Sequence, residues 1–257
     1  MKKKYIIFLV ILAVVYIGAM FLLNRATLLQ NHKEKNSSYL ILGYDTFLRF
    51  FDGSIETIED VNKVTANRYF DVYMNNEYQG LYTMKLVSDT WHFYDSSSKE
   101  VRLTGNLLAT AGNQKITPVS FSIDSLNETE LQQLQGIDYS TLTVNEKVVL
   151  DFDQDGVEEE LWNISNLYND TLDYSDKIYA IIAYVDNGTI QFLHQFENTK
   201  NSEQQTGYLY RISNIIRIGQ SEFYDIIIKR SRPFGNAGDC HLLYSYVDGK
   251  YELKHGC

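Results

Sequence analysis

Proline and cysteine are scarce, with two of each in the chain, and histidine occurs five times. Proline is the residue that sheets tolerate worst, so its scarcity leaves room for strands. The two cysteines, Cys240 and Cys257, form no C-x-x-C pair, which argues against a redox-active dithiol. The histidines, at 32, 92, 194, 241 and 255, lack the spacing of a zinc site. The chain contains no G-x-S-x-G elbow, phosphate-binding loop, dinucleotide fingerprint or H-E-x-x-H. Positive charge is also short. The formal net charge is −10 although Lys2, Lys3 and Lys4 are counted in it, so the remainder is more acidic still. Such a chain repels phosphate backbones, and no nucleic-acid partner is expected.

Apolar and aromatic residues are plentiful. Of 257 residues, 44% are apolar and 22% charged, which suits a globular chain with a real core rather than a disordered one. Twenty tyrosines and thirteen phenylalanines favour strands, because flat and branched side chains fill a half-buried pleated surface. The expected fold is mainly β, built of antiparallel hairpins and meanders in a propeller-blade-like or sandwich arrangement, after one N-terminal transmembrane helix.

That helix is read from the unbroken apolar run Tyr5 to Leu23, which follows the three lysines. At about 1.5 Å per residue the run spans about 28 Å, close to a bilayer's hydrocarbon core. Residues 1–4 would form a cytoplasmic tail, and everything after Leu23 would lie on the opposite side. A signal peptide cleaved after Ile17-Gly18-Ala19 is the alternative, leaving a secreted protein. The length of the run favours a retained anchor, which makes the membrane the first expected partner. No cysteine adjoins the run, so lipid attachment through a thiol is excluded. Residues 24–38 read as a polar stalk. Five N-x-S/T sequons stand at Asn36, Asn127, Asn163, Asn169 and Asn187.

Past the stalk, two β portions are expected, over 39–120 and 140–257. Between them the stretch 128–135 reads as a helix, with Asn127 as N-cap, Glu130 completing a capping box and Gly136 as terminator. A second short helix is expected near Ile55 to Val64. Hairpins are read at Asn75-Asn76-Glu77, Asn187-Gly188 and Asp248-Gly249. A tyrosine, an apolar residue and a turn-forming Asn or Asp recur at these three places, as an irregular repeat or as ordinary hairpin grammar.

The last hairpin bears on the cysteines. With Asp248-Gly249 as a two-residue loop, Val247 faces Lys250, and the same register sets Cys240 against Cys257 within disulfide reach; a three-residue loop with a glycine bulge is the competing turn and would slip that register by one. Leu242, Tyr244, Tyr246, Tyr251 and Leu253 would share their face. His241 and His255 would fall on opposite faces. Register and an oxidising compartment together favour a structural disulfide over free thiols.

One motif carries chemistry. The segment DFDQDGVEE places Asp151, Asp153 and Asp155 at alternate positions before Gly156. Calcium takes six to eight oxygens, and this spacing brings three carboxylates to one point. The carbonyl of Val157 and the carboxylate of Glu159 would extend the shell. The loop departs from an EF-hand in having Trp162 at its twelfth position and apolar β-type residues on both sides. It resembles the calcium loops of FG-GAP or VCBS-type repeats, over about fifteen residues and in one copy. Asp151, Asp153, Asp155 and Glu159 match that family's liganding acids, while Gln154 stands where glycine is common. The resemblance implies a loop joining two strands, a bound Ca2+ that braces it, and a cell-surface or secreted protein. The plainer alternative is a solvated acidic turn without metal.

The leading expectation is a membrane-anchored, non-catalytic extracytoplasmic module that binds a protein or glycan partner or supports the envelope. An extracytoplasmic hydrolase with paired carboxylates is the alternative. Trp91 and Trp162 could stack on sugars, although lone tryptophans in β proteins more often belong to the core.

Overall fold

The computed structural model describes Tyr16, Met20, Arg25, residues 32–33, 35–66, 68–134, 136–173, 176–200, 207–231 and 240–256. The expected anchor at 5–23 and tail at 1–4 lie outside these residues apart from Tyr16 and Met20. No helix among the described residues is long and apolar enough to cross a membrane.

Among the described residues the chain is mainly β, in three antiparallel sheets with two short helices between strands. The first sheet contains β1 (Ser38–Leu42), β2 (Thr46–Phe51), β3 (Ser54–Thr57), β4 (Phe70–Met74), β5 (Glu77–Val87), β6 (Thr90–Tyr94), β7 (Glu100–Val101) and β8 (Leu107–Gly112). Their spatial order is β3-β2-β1-β8-β4-β5-β6-β7. Helix α1 (Val61–Thr65) lies between β3 and β4, and Asp60 caps it by accepting from the Lys63 amide. Next come β9 (Ile116–Val119) and α2 (Glu128–Leu131). The second sheet is the meander β10 (Val144–Leu150), β11 (Glu159–Ser165), β12 (Lys177–Asp186) and β13 (Thr189–Thr199). The third joins β9 to β14 (Leu209–Ile218), β15 (Asp225–Ser231), β16 (Cys240–Val247) and β17 (Lys250–His255), in the order β17-β16-β15-β14-β9.

Alternating side chains stack the three sheets. On β15, Ile226 and Ile228 join Val148, Leu161 and Ile182 of the second sheet in one apolar cluster. Ile227, one residue out of phase, joins Leu40, Leu48 and Leu108 of the first sheet in another. The third sheet is therefore buried on both faces, which is why β15 reads as a continuous isoleucine run. The outer faces are covered as well. Tyr39, Ile41 and Phe70 pack with Val61 of α1. Trp162, Ile164 and Ile181 pack with Leu126, Leu131 and Leu134 around α2. Trp162 is 1% exposed and belongs to that core, so it offers no surface for a sugar. Trp91 lies edge-on to Phe47 and donates to the Gly43 carbonyl.

Several expectations hold in detail. The capping box at Asn127 and Glu130 is formed, although the α-helix ends at Leu131 rather than running on to 135. All three expected turns close their hairpins as two-residue loops, the first shorter than the expected Asn75-Asn76-Glu77 because Glu77 already pairs with Met74. Asn75-Asn76, Asn187-Gly188 and Asp248-Gly249 each take positive φ at both central residues, the backbone twist that tight hairpins require.

Others are corrected. The helix expected from Ile55 starts only at Val61, because Ile55 and its neighbours pair with β2 as a strand. The N-terminal portion expected to end at 120 gives up β9, which pairs with β14 in the third sheet. The stalk expected over 24–38 does not run free to its end. His32, Lys33, Lys35 and Asn36 are helical, the Lys33 ammonium pairs with Glu56, and the Asn113 amide donates to the Lys35 carbonyl. Asn163, one of the five sequons, is 2% exposed and donates to the Tyr210 carbonyl, so it has no room for a glycan.

The terminal hairpin keeps its expected register from Val247–Lys250 to Tyr244–Leu253, then shifts by one to pair Leu243 with His255. A one-residue bulge exchanges faces beyond it. His255 comes onto the face of His241 instead of the opposite one, and Cys257, the expected partner of Cys240, lies outside the described residues. Leu253, expected with the buried set, is 53% exposed.

Candidate metal centre

Strands β10 and β11 pair with Leu150 opposite Glu159, so residues 151–158 form the connection of a hairpin. Two left-handed residues curl this connection inward, Gln154 at φ 61 and Gly156 at φ 94. The amides they redirect bind the aspartates. Asp151 accepts from the amides of Asp155 and Gly156, each at 3.0 Å. Asp153 accepts from the same Asp155 amide at 3.1 Å, and Asp155 accepts from the Val157 amide at 2.8 Å. At the loop's exit, Glu159 accepts from the Phe152 amide at 2.7 Å. The sequence spacing thus becomes a cradle whose carboxylates are oriented by backbone.

The four expected acids come together. Ligand oxygens of Asp151, Asp153, Asp155 and Glu159 all lie within 4.8 Å of one another. The fifth expected ligand, Val157, follows in the same loop and is placed by its amide bond to Asp155. Asp155 is exposed, Asp151 and Asp153 are half-buried, and Glu159 is 2% exposed. None of the ion pairs among the described residues involves these four carboxylates. Burial lifts the Glu159 carboxyl to about 7 against the opposing Phe152 amide, and the charges of Asp153, Asp151 and Asp186 add to the rise. Asp153 is raised mainly by burial, with further pressure from Asp155 and Asp151.

A compact, all-oxygen, multiply anionic donor set suits a hard cation. Its four carboxylates match Ca2+ better than zinc, which prefers nitrogen and sulfur ligands. A dication there would supply charge compensation for the buried Glu159 and its neighbours.

Two supports were not read from the sequence. Gln154, noted only as a departure from glycine, uses its left-handed position to send its amide to the carbonyls of Ser221 at 3.2 Å and Glu222 at 2.7 Å. It ties the acidic loop to the β14–β15 connection. Beneath the loop lies an aromatic floor. Phe152 meets Tyr184 edge-on at 5.7 Å and Tyr251 at 6.4 Å, and the Phe152 carbonyl accepts from the Tyr224 amide. A phenylalanine between two aspartates was the available signal, since an apolar residue inside an acidic loop must have somewhere to be buried.

Cys240 is disulfide-bonded, and Cys257, the one other cysteine of the sequence, lies outside the described residues. Comparison with family models, with curated proteins and with solved structures found no match to this chain.

Proposed function

We propose that this protein is a membrane-anchored, extracytoplasmic binding module without catalytic activity, braced by one structural Ca2+ in the 151–159 loop. The observation that carries the metal reading is the buried Glu159 carboxylate, grouped with three aspartates and balanced by no cationic side chain among the described residues. Four carboxylates so close repel one another at neutral pH, and a divalent cation reverses the sign of that interaction. Its role is structural, because the loop is fastened to the β14–β15 connection by Gln154 and to the core by Phe152. The loop's place between two strands also accords with the FG-GAP or VCBS-type resemblance.

The anchor reading rests on the apolar run Tyr5 to Leu23 behind three lysines. A disulfide at Cys240 accords with an oxidising compartment. For the architecture we favour a sandwich-type stack over a propeller. The sheets pack face to face through shared apolar clusters, whereas propeller blades radiate around a channel.

The test is thermal melting of the full chain with and without calcium. Chelation and Asp153→Ala should each lower the melting temperature, and the variant should no longer respond to calcium. If both leave the melting temperature unchanged, the metal reading fails.

A further inference from the structure

A cleft of about 670 Å3 opens where the first sheet meets the third. The β2–β3 hairpin lines one side with Phe50 and Ile55, and Ile218 of β14 lines the other. All three pack in the apolar cluster that joins the two sheets, so the cleft continues that layer. Its volume lies in the range of ligand sites, and a junction between packed layers is a usual place for one.

One carboxylate stands in this apolar surround. Asp225 shares a face of β15 with Ile227, which packs toward the first sheet, and it pairs in register with Ile216 of the same cluster. It lines the cleft, is 7% exposed and takes part in no ion pair among the described residues. The Ser245 hydroxyl donates to it, and burial lifts its carboxyl to about 6. Lys254 also lines the cleft, but its ammonium is held by Glu252 at 3.0 Å. Ionised, Asp225 is a buried charge that no cationic side chain among the described residues neutralises, and such a charge is costly until an opposite one meets it.

Charge and shape together select the ligand. An anionic group would meet Asp52 as well as Asp225. A neutral one would leave the carboxylate uncompensated. A calcium ion wants six to eight oxygens, more than Asp225 and Ser245 supply. An aliphatic stem ending in a cation answers both features, because its methylenes cover the apolar walls while its head meets the acid. We propose that this cleft is the module's ligand site and that it takes a lysine or arginine side chain presented by an extended segment of a partner protein. The stem lies between Phe50, Ile55 and Ile218, and the cation meets Asp225. Gln114 and Ser221, also in the lining, both donate and accept, so they match the amides and carbonyls of such a segment; a free polyamine has no carbonyls to offer. The proposal rests on the reading of the protein as a binding module.

The experiment presents the full chain, in detergent, to extended peptides randomised around one fixed position that is Lys, Arg, Gln or Glu, with spermidine as a small cation alongside. Lysine and arginine peptides should bind at least tenfold tighter than glutamine and glutamate peptides. Asp225→Asn should abolish that preference, and the exposed substitution Gln114→Lys, which adds a like charge to the lining, should weaken it severalfold, neither lowering the melting temperature. Failure of the basic peptides to bind overturns the proposal. A preference for them that survives Asp225→Asn also overturns it, since the acidic surface at large would then be the cause. Spermidine binding as tight as that of the peptides, and lost in Asp225→Asn, overturns a protein segment as the source of the cation. Peptide binding that ignores the fixed residue removes the cleft and leaves the binding-module reading standing. Cleavage of a bound peptide, read as new amino termini, removes the non-catalytic reading and leaves the cleft in place.

Discussion

Calcium should stabilise this protein strongly at pH 8 and hardly at all at pH 5. Glu159 decides the difference. Its carboxyl is lifted from an ordinary 4.5 to about 7, chiefly by burial. The folded state therefore holds the proton more tightly than the unfolded state. Stability from this group is fully present below pH 4.5 and is lost as pH rises through 7. Converting the shift gives a loss of about 3 kcal/mol across that window. Calcium binds the ionised form, so its contribution runs the other way. At a free concentration a hundredfold above Kd it adds about 2.7 kcal/mol. A chain of about this size melts roughly 2–4 °C higher per kcal/mol, so the expected rise at pH 8 is about 5–10 °C. At pH 5 the proton competes about a hundredfold more effectively, and the same calcium concentration adds only about 0.4 kcal/mol. Differential scanning fluorimetry with calcium or chelator at the two pH values makes the comparison. An equal rise at both pH values, or none at pH 8, would refute the argument that a buried carboxylate dominates the site.

Three further outcomes are expected. Phe152→Ala should cost about 3–5 kcal/mol in urea unfolding, because it empties the floor between Tyr184 and Tyr251; Phe152→Leu should cost much less. Gly112→Ala should destabilise by about 3 kcal/mol or more, since φ is +117° there and a Cβ would lie 2.3 Å from the Ser37 carbonyl oxygen; a melting curve like that of the parent protein would count against this close approach of β1 and β8. Reduction, or Cys240→Ser, should lower stability by about 2–4 kcal/mol, read by denaturation with and without reductant.

The parts of the structure that could be read in advance are those made by neighbours in the chain. Asn187-Gly188 and Asp248-Gly249 specify a turn because their own backbones accept positive φ. Asn127 and Glu130 cap a helix three residues apart. Asp151, Asp153 and Asp155 converge because alternate positions and a following glycine suffice to wrap the loop. What could not be read depends on partners far along the chain. Ile55 is an acceptable helix residue until β2 lies beside it, and β9 has no local reason to leave the first sheet for β14. The bulge near Leu243 brings His255 opposite that residue and onto the face of His241, a shift set where the hairpin packs rather than at its turn.

By itself the sequence determined a β-rich chain, its tight turns and the acidic loop, since propensity, turn chemistry and ligand spacing are local properties. Only the tertiary structure decided that the third sheet is buried on both faces, that Gln154 ties the loop to Ser221, and that Asp225 lines a cleft with Phe50 and Ile55. Those features arise from side chains more than fifty residues apart, brought together by burying apolar surface between sheets, and no short-range signal encodes that choice.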